Sequence, residues 1–185
     1  ASGAVVYTGM EYLKMSCVQS PVQYYILRTA FYRAHFLRFE KGIYHEDALF
    51  TPTALFWARR VVRLAEDCYV YNVREGSIMT SGNNLKHARD MVTVVARLEA
   101  FRRLHASRFE ESVVLAQYVA RAVGGVFYYW RRLGKQDRRT VSAAIDIGRT
   151  LRPICLSGSL KYLVALSAML VCRPLRTVGS STREV

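Results

Sequence analysis

The chain has little acid, little lysine and no clustered cysteine, and each shortage excludes something. Its four cysteines (Cys17, Cys68, Cys155, Cys172) form no CxxC or Cys/His group, which argues against a structural zinc site. The first residues lack a basic region followed by an apolar run, so no secretory signal is visible. The four thiols are therefore expected to be reduced and mostly buried, in a cytosolic setting. The best candidate for a membrane span, residues 154–172, is interrupted by Ser157, Gly158, Ser159 and Lys161. Its uninterrupted apolar part, from residue 162, is about half of the ~20 residues that a span requires. No repeat or low-complexity tract is present. A hydrophobic content of 51% with 22% charged residues excludes general disorder.

What is present in excess is arginine. Lys+Arg is 27 against 14 for Asp+Glu, and only five of the 27 are lysines, giving a net charge of +13. Residues 1–95 carry 11 basic and 8 acidic side chains, net +3; residues 96–185 carry 16 and 6, net +10. A basic second half calls for an anionic partner such as phosphate, nucleic acid or an anionic membrane.

The local pattern predicts a mixed, helix-dominated chain of 185 residues. A turn or two of helix is expected over residues 11–15. Ser20-Pro21 and Thr51-Pro52 each combine a capping residue with a proline suited to a first helical position. The second pair predicts a helix over residues 51–64. Residues 67–73 alternate, with Tyr69, Tyr71 and Val73 on one side, which predicts a strand, and the polar, glycine-bearing residues 75–84 predict a loop. Leu85, Ala88, Met91, Val92, Val95 and Leu98 hold a helical period, as do Val113, Ala116, Ala120, Val123, Phe127 and Trp130, with a kink or stop expected at Gly124-Gly125. A third helix is expected over residues 136–151, ended by Pro153, and a frayed tail over residues 179–185.

Two stretches carry more than local structure. One is Phe39-Glu40-Lys41-Gly42-Ile43-Tyr44-His45-Glu46-Asp47, continuing to Pro52. The other is Tyr69-Val70-Tyr71-Asn72-Val73-Arg74-Glu75-Gly76-Ser77-Ile78-Met79, continuing to Ser81. Together they resemble the C-terminal half of bacterial family 2 glycosyltransferases of the GT-A fold. There an F-x-x-G-x-Y/F-x-E-D segment carries the catalytic acid, and a tyrosine-rich strand with an R-x-G-S-I loop follows. The resemblance covers roughly residues 10–100 and implies an inverting sugar transfer from a nucleotide-sugar to a glycan or lipid-linked acceptor in surface polysaccharide assembly. It places Asp47 as the base, with Glu46 beside it. It implies substrate contacts from Tyr44, His45, Arg74 and Ser77, and from Trp57 as a stacking platform. The family holds a divalent metal, manganese or magnesium, on an Asp-x-Asp motif that ends an N-terminal Rossmann-like half. This chain has no Asp-x-Asp and no room for that half before Met10, so the 185 residues are expected to be the acceptor-side part of a longer enzyme, inactive alone.

Each of these residues also has a plain structural reading. Adjacent acids such as Glu46 and Asp47 are common at helix N-termini, where they complement the helix dipole. Arg74 fits either a leaving diphosphate or open solvent. His45 and His87 fit structural roles, and the tyrosines and Trp57 fit a core as well as a sugar ring. The expected organisation is an acceptor-side catalytic part over residues 1–83, a basic helical extension over 84–176 and a tail over 177–185. The arginines of the extension punctuate apolar, aromatic helices, a pattern that suits docking on an anionic membrane, peripheral on the inner face of the cell membrane. The rival readings are a nucleic-acid binder, for which no helix-turn-helix, RRM or zinc motif is present, and a non-catalytic interaction module.

Overall fold

A computed structural model describes residues 5–15, 20–64, 69–70, 72, 76–78 and 82–173. It is helix-dominated, with one small two-stranded sheet. Strand β1 (Val6–Tyr7) pairs antiparallel with β2 (Val61–Val62), Val6 opposite Val62 and Tyr7 opposite Val61. Helix α1 (Gly9–Lys14) starts where Thr8 and Glu11 cap it reciprocally: the Glu11 N–H donates to Thr8 Oγ1 at 3.2 Å, and the Thr8 N–H donates to Glu11 Oε2 at 2.7 Å. A single 3₁₀ turn (Val22–Tyr24) follows Ser20-Pro21, and then comes the short α2 (Thr29–Ala34).

Helix α3 (Glu46–Trp57) corrects the expected start at Thr51-Pro52 and the expected end at Leu64. The chain turns at Gly42, with φ +80°, and again at His45, held in the left-handed region with φ 62°. That second turn launches the helix at Glu46, so Pro52 falls in its interior. Thr51 and Pro52 are both buried there, so the proline ring packs in the interior. Thr51 Oγ1 donates to the Ser20 carbonyl at 2.6 Å, and Thr53 Oγ1 donates to the Phe50 carbonyl at 2.9 Å. The helix stops at Trp57, and Ala58 passes into extended chain toward β2. The strand expected over residues 67–73 is not seen at Tyr69, Val70 or Asn72, and its other residues lie outside those described.

Helices α4 (Asn84–His105) and α5 (Phe109–Trp130) form an antiparallel hairpin across a three-residue connection. Asn83 caps α4 by accepting from the Lys86 N–H at 3.1 Å. At the hairpin turn, Arg102 reaches both Glu99 oxygens at 2.7 Å and also donates to Ser112 Oγ; Glu99 and Arg102 are 3% and 5% exposed. Helix α5 runs unbroken through Gly124-Gly125. These glycines serve close approach instead of a kink: a Cβ on Gly125 would meet the Met91 methyl, and one on Gly124 the Tyr162 ring.

The single helix expected over residues 136–151 is two, α6 (Lys135–Ala144) and α7 (Ile147–Leu156). Ile145 leaves the helix to bury its side chain, and Asp146 caps the next one by accepting from the Arg149 N–H at 3.1 Å. Pro153 therefore sits inside α7 and does not end a helix. Helix α8 (Leu160–Val171) follows a turn at Gly158. No helix among the described residues is long and apolar enough to cross a membrane. Cys155 is exposed, against the expectation of buried thiols, while Cys172 is partly buried; Cys17, Cys68 and residues 179–185 lie outside the described residues.

One buried apolar cluster joins Leu13 of α1 and Leu55 of α3 to the seam of α4 and α5 and to α6–α8. A smaller cluster of Leu37, Phe50 and Ala54 underlies α3 on its other side. The tightest point is Gly9, whose N–H donates to the Ala58 carbonyl at 2.7 Å and whose added Cβ would lie 1.7 Å from the Leu55 carbonyl oxygen. Gly9→Ala is accordingly expected to cost about 3 kcal/mol or more. Gly125→Ala, which meets only the movable end of Met91, is expected to change stability by less than about 1 kcal/mol. Arg102→Met, which strands Glu99 as a buried charge, is expected to cost about 3–5 kcal/mol. Urea unfolding of the three variants checks the ranking.

Candidate functional site

At the left-handed turn, Tyr44 and His45 meet the side of α4, and Glu46 and Asp47 follow as the first residues of α3. The Tyr44 N–H donates to Asp90 Oδ2 at 2.8 Å. Lys86 Nζ donates to the same oxygen at 2.8 Å and to the Gly42 carbonyl at 2.9 Å, and lies 4.5 Å from the centre of the Tyr44 ring. Lys86 and Asp90 are one turn apart on α4, and together they clamp residues 42–44 in place.

A chain of imidazoles runs from this turn into the second motif. His45 Nε2 lies 2.8 Å from His87 Nδ1, and His87 Nε2 lies 3.1 Å from the Ile78 carbonyl. A carbonyl only accepts, so His87 Nε2 carries the proton. His87 Nδ1 then accepts, and His45 Nε2 donates to it. His87 is thus the neutral Nε2–H tautomer. His87 is 2% exposed, and Tyr129 of α5 stacks on it at 4.5 Å between ring centres with a 10° interplanar angle. Burial, followed by the neighbouring His87, lowers the His45 pKa to about 4; the Asp90 carboxylate pulls weakly the other way.

Asp47 is the second residue of α3 and half-buried. Burial pushes its carboxyl above the usual aspartate range, and the neighbouring Glu46 adds to the rise. The backbone N–H of Ala48 works in the opposite sense. Glu46 and Asp47 occupy the first turn of the helix, as the capping reading requires, and backbone N–H groups of that turn hydrogen-bond the Asp47 carboxyl; the N-cap residue His45 makes no side-chain cap hydrogen bond.

The sequence-selected residues thus separate into groups. Tyr44, His45, Glu46 and Asp47 are contiguous at the start of α3, and Ser77 adjoins Ile78, the residue that receives the His87 bond. Arg74 lies outside the described residues. Trp57 is at the far end of α3, about 16 Å along the helix from Glu46. There it stacks on His35 (5.5 Å, 15°), meets His105 edge-on at 5.1 Å, and lines a separate open groove with Phe36, Arg38 and Phe101. Tyr24 meets Tyr69 of the second motif edge to face at 6.1 Å.

Sequence reasoning missed the supporting partners Lys86, Asp90 and Tyr129 and gave His87 little weight. A signal existed: Lys86, His87 and Asp90 share one side of the helix, next to the apolar face of Leu85, Ala88 and Met91. Among the described residues no group of three or more His, Cys, Asp or Glu side chains converges. The described residues therefore do not fit the divalent metal that the resemblance implies. No protein-family model, no curated protein and no solved structure matches the chain.

The His45 shift has a definite sign. The folded state holds the ring neutral, so its contribution is fully present above pH ~6.5, the unfolded value, and is lost as pH falls toward 4. Allowing for solvent screening of a partly exposed group, the loss is about 1–2 kcal/mol. Thermal melts of the wild-type chain are expected to show falling stability from pH 6.5 to 5. His45→Asn, which suits the left-handed conformation, is expected to flatten that slope.

Proposed function

We propose that this chain is the acceptor-side part of a GT-A family 2 glycosyltransferase, and that Asp47 is its catalytic base. One observation carries the reading. His45 of the first motif and Ile78 of the second are 33 residues apart in sequence, yet hydrogen bonds through His87 of α4 link them, with Asp47 two residues from His45. A base and a loop that act on one substrate need this kind of proximity.

In the proposed step the Asp47 carboxylate takes the proton of an acceptor hydroxyl as that oxygen bonds to the anomeric carbon. The bond from the anomeric carbon to the nucleotide diphosphate breaks, the leaving group keeps the electron pair, and the configuration inverts. A carboxylate whose pKa is raised by burial is a stronger base than an exposed one while it stays ionised near neutral pH. Tyr44 and His45 border the acceptor, and the loop bearing Ser77 closes the same side. Nucleotide-sugar and metal binding are assigned to a Rossmann-like half outside these 185 residues. The exposed apolar side chains of Val6, Ile26, Val62, Leu64 and Val70, four of them on or near the open-edged β1–β2 pair or the second motif, support a larger body packing there. The acceptor is a glycan or a lipid-linked glycan, met at the inner face of the membrane.

The position of Glu46 and Asp47 in the first turn of α3 favours one second reading, a non-catalytic helical module in which the two acids serve the helix dipole. Asp47→Asn separates the two. With the donor half present, it is expected to lower kcat by 10²–10⁴, at the order of a lost general base, with little change in acceptor KM and in melting temperature. Glu46→Gln is expected to cost less than about tenfold. The acid limb of the pH–rate profile is expected above pH 3.8, the ordinary aspartate value, because burial raises Asp47. Wild-type rates for Asp47→Asn would leave the module reading. Robust transfer by the 185-residue chain alone would show that donor binding lies within it.

A further inference from the structure

We infer that the outward face of α7 and α8 is an interfacial surface that lies flat on an anionic lipid bilayer. This rests on the glycosyltransferase reading only for its purpose, the meeting with a lipid-linked acceptor; the surface itself is argued from its own residues.

Helix α8 is apolar on two sides. Ala165, Leu166 and Met169 are buried against the core, yet Leu160, Val164 and Val171 are 73%, 60% and 86% exposed. These three, with exposed Ser167, recur every three or four residues and so form a second stripe along the helix. Helix α7 adds Leu151 and Cys155, one turn apart and both exposed, while its Ile154 is fully buried. A helix that buries one face and leaves apolar residues on the other is built for a second apolar medium.

The charges choose which medium. From residue 147 to residue 173 the sequence has Arg149, Arg152, Lys161 and Arg173 and no Asp or Glu. Among the described residues only Arg149 of these four has an ion-pair partner, Asp146 at 3.4 Å on the surface. Apolar side chains among long cations match the boundary between acyl chains and anionic headgroups. A second copy of this face would set Arg152 and Lys161 against their own kind, the nearby Asp146 being already paired with Arg149. A nucleic acid would leave the apolar stripe uncovered. The helix is too short to span, at 12 residues, so it lies in the plane of the interface.

Co-sedimentation with vesicles tests this in the 185-residue chain. The wild type is expected to bind vesicles containing phosphatidylglycerol, to bind phosphatidylcholine vesicles far less, and to be released by salt. Each cation near the surface contributes about fivefold, so Arg152→Gln with Lys161→Gln is expected to weaken binding about 25-fold. Leu160→Ser with Val164→Ser is expected to weaken it by about tenfold or more. Both pairs change exposed side chains, and circular dichroism and melting temperature verify that the fold is kept. Asp47→Asn is expected to bind vesicles like the wild type, which separates failure of docking from failure of the transfer chemistry. Equal binding to both lipids, binding to neither, or wild-type binding by both double variants would overturn the inference. So would a dimer in sedimentation equilibrium that Leu160→Ser with Val164→Ser dissolves, or RNA binding through Arg152 and Lys161 without vesicle binding.

Discussion

The packing of α4 against α5 is the constraint on which the rest of the molecule depends. Three residues connect the two helices, so they must run antiparallel, and small residues let them close together. Ala88 of α4 and Ala116 and Ala120 of α5 are fully buried, and Gly125 admits Met91. At the connection, Glu99, Arg102 and Ser112 form a buried polar knot. Glu111 adds a cap by accepting from the Ser107 and Arg108 N–H groups at 3.0 and 3.1 Å. Removing Glu99 and Arg102 from water is costly, and the two-pronged geometry with a third partner offsets that cost. The other helices have too little apolar surface to stand alone; α1, α3, α6, α7 and α8 each bury side chains against this pair or against one another on it.

The candidate site is a consequence of that scaffold. Helix α4 presents Lys86, His87 and Asp90 near its first turns, and α5 brings Tyr129 near its end, which in an antiparallel pair is the same end. The chain before α3 is drawn onto these groups through Tyr44 and His45. The left-handed conformation of His45 then decides which way the acids at Glu46 and Asp47 emerge. A strained backbone at a non-glycine residue is retained where its surroundings hold it, and here the imidazole chain and the Tyr129 stack do so.

Long periodic segments were legible from the residues alone, because burial of one face of a helix leaves a period that survives in sequence. This is why α4 and α5 lie close to where the pattern placed them. Short segments were not. Thr51-Pro52 has the chemistry of a helix start, but the turn at His45 starts the helix earlier, and burial of Thr51 and Pro52 outweighs the lost hydrogen bond. Residues 136–151 keep a helical period on both sides of Ile145, so the break there is invisible without the pocket that receives Ile145. Gly124-Gly125 reads as a flexible point in sequence, yet it is a contact surface in the fold. Asp47, His45 and Tyr44 were picked out because they are neighbours in a motif. His87, Asp90 and Tyr129 were not, because forty to eighty residues separate them from it.

By itself the sequence determined the helix-dominated class, the basic excess of the second half and the two motif stretches. These are properties of composition, period and short-range order, which need no partner in space to be read. Only the tertiary structure decided that Trp57 stands apart from Asp47, that the two motifs meet through a pair of histidines, and that α8 keeps an exposed apolar stripe opposite its buried one. Each of these depends on which side chains share a place after the chain has closed on itself. Closure is set by the competition among all helices for the same core, which no local window contains.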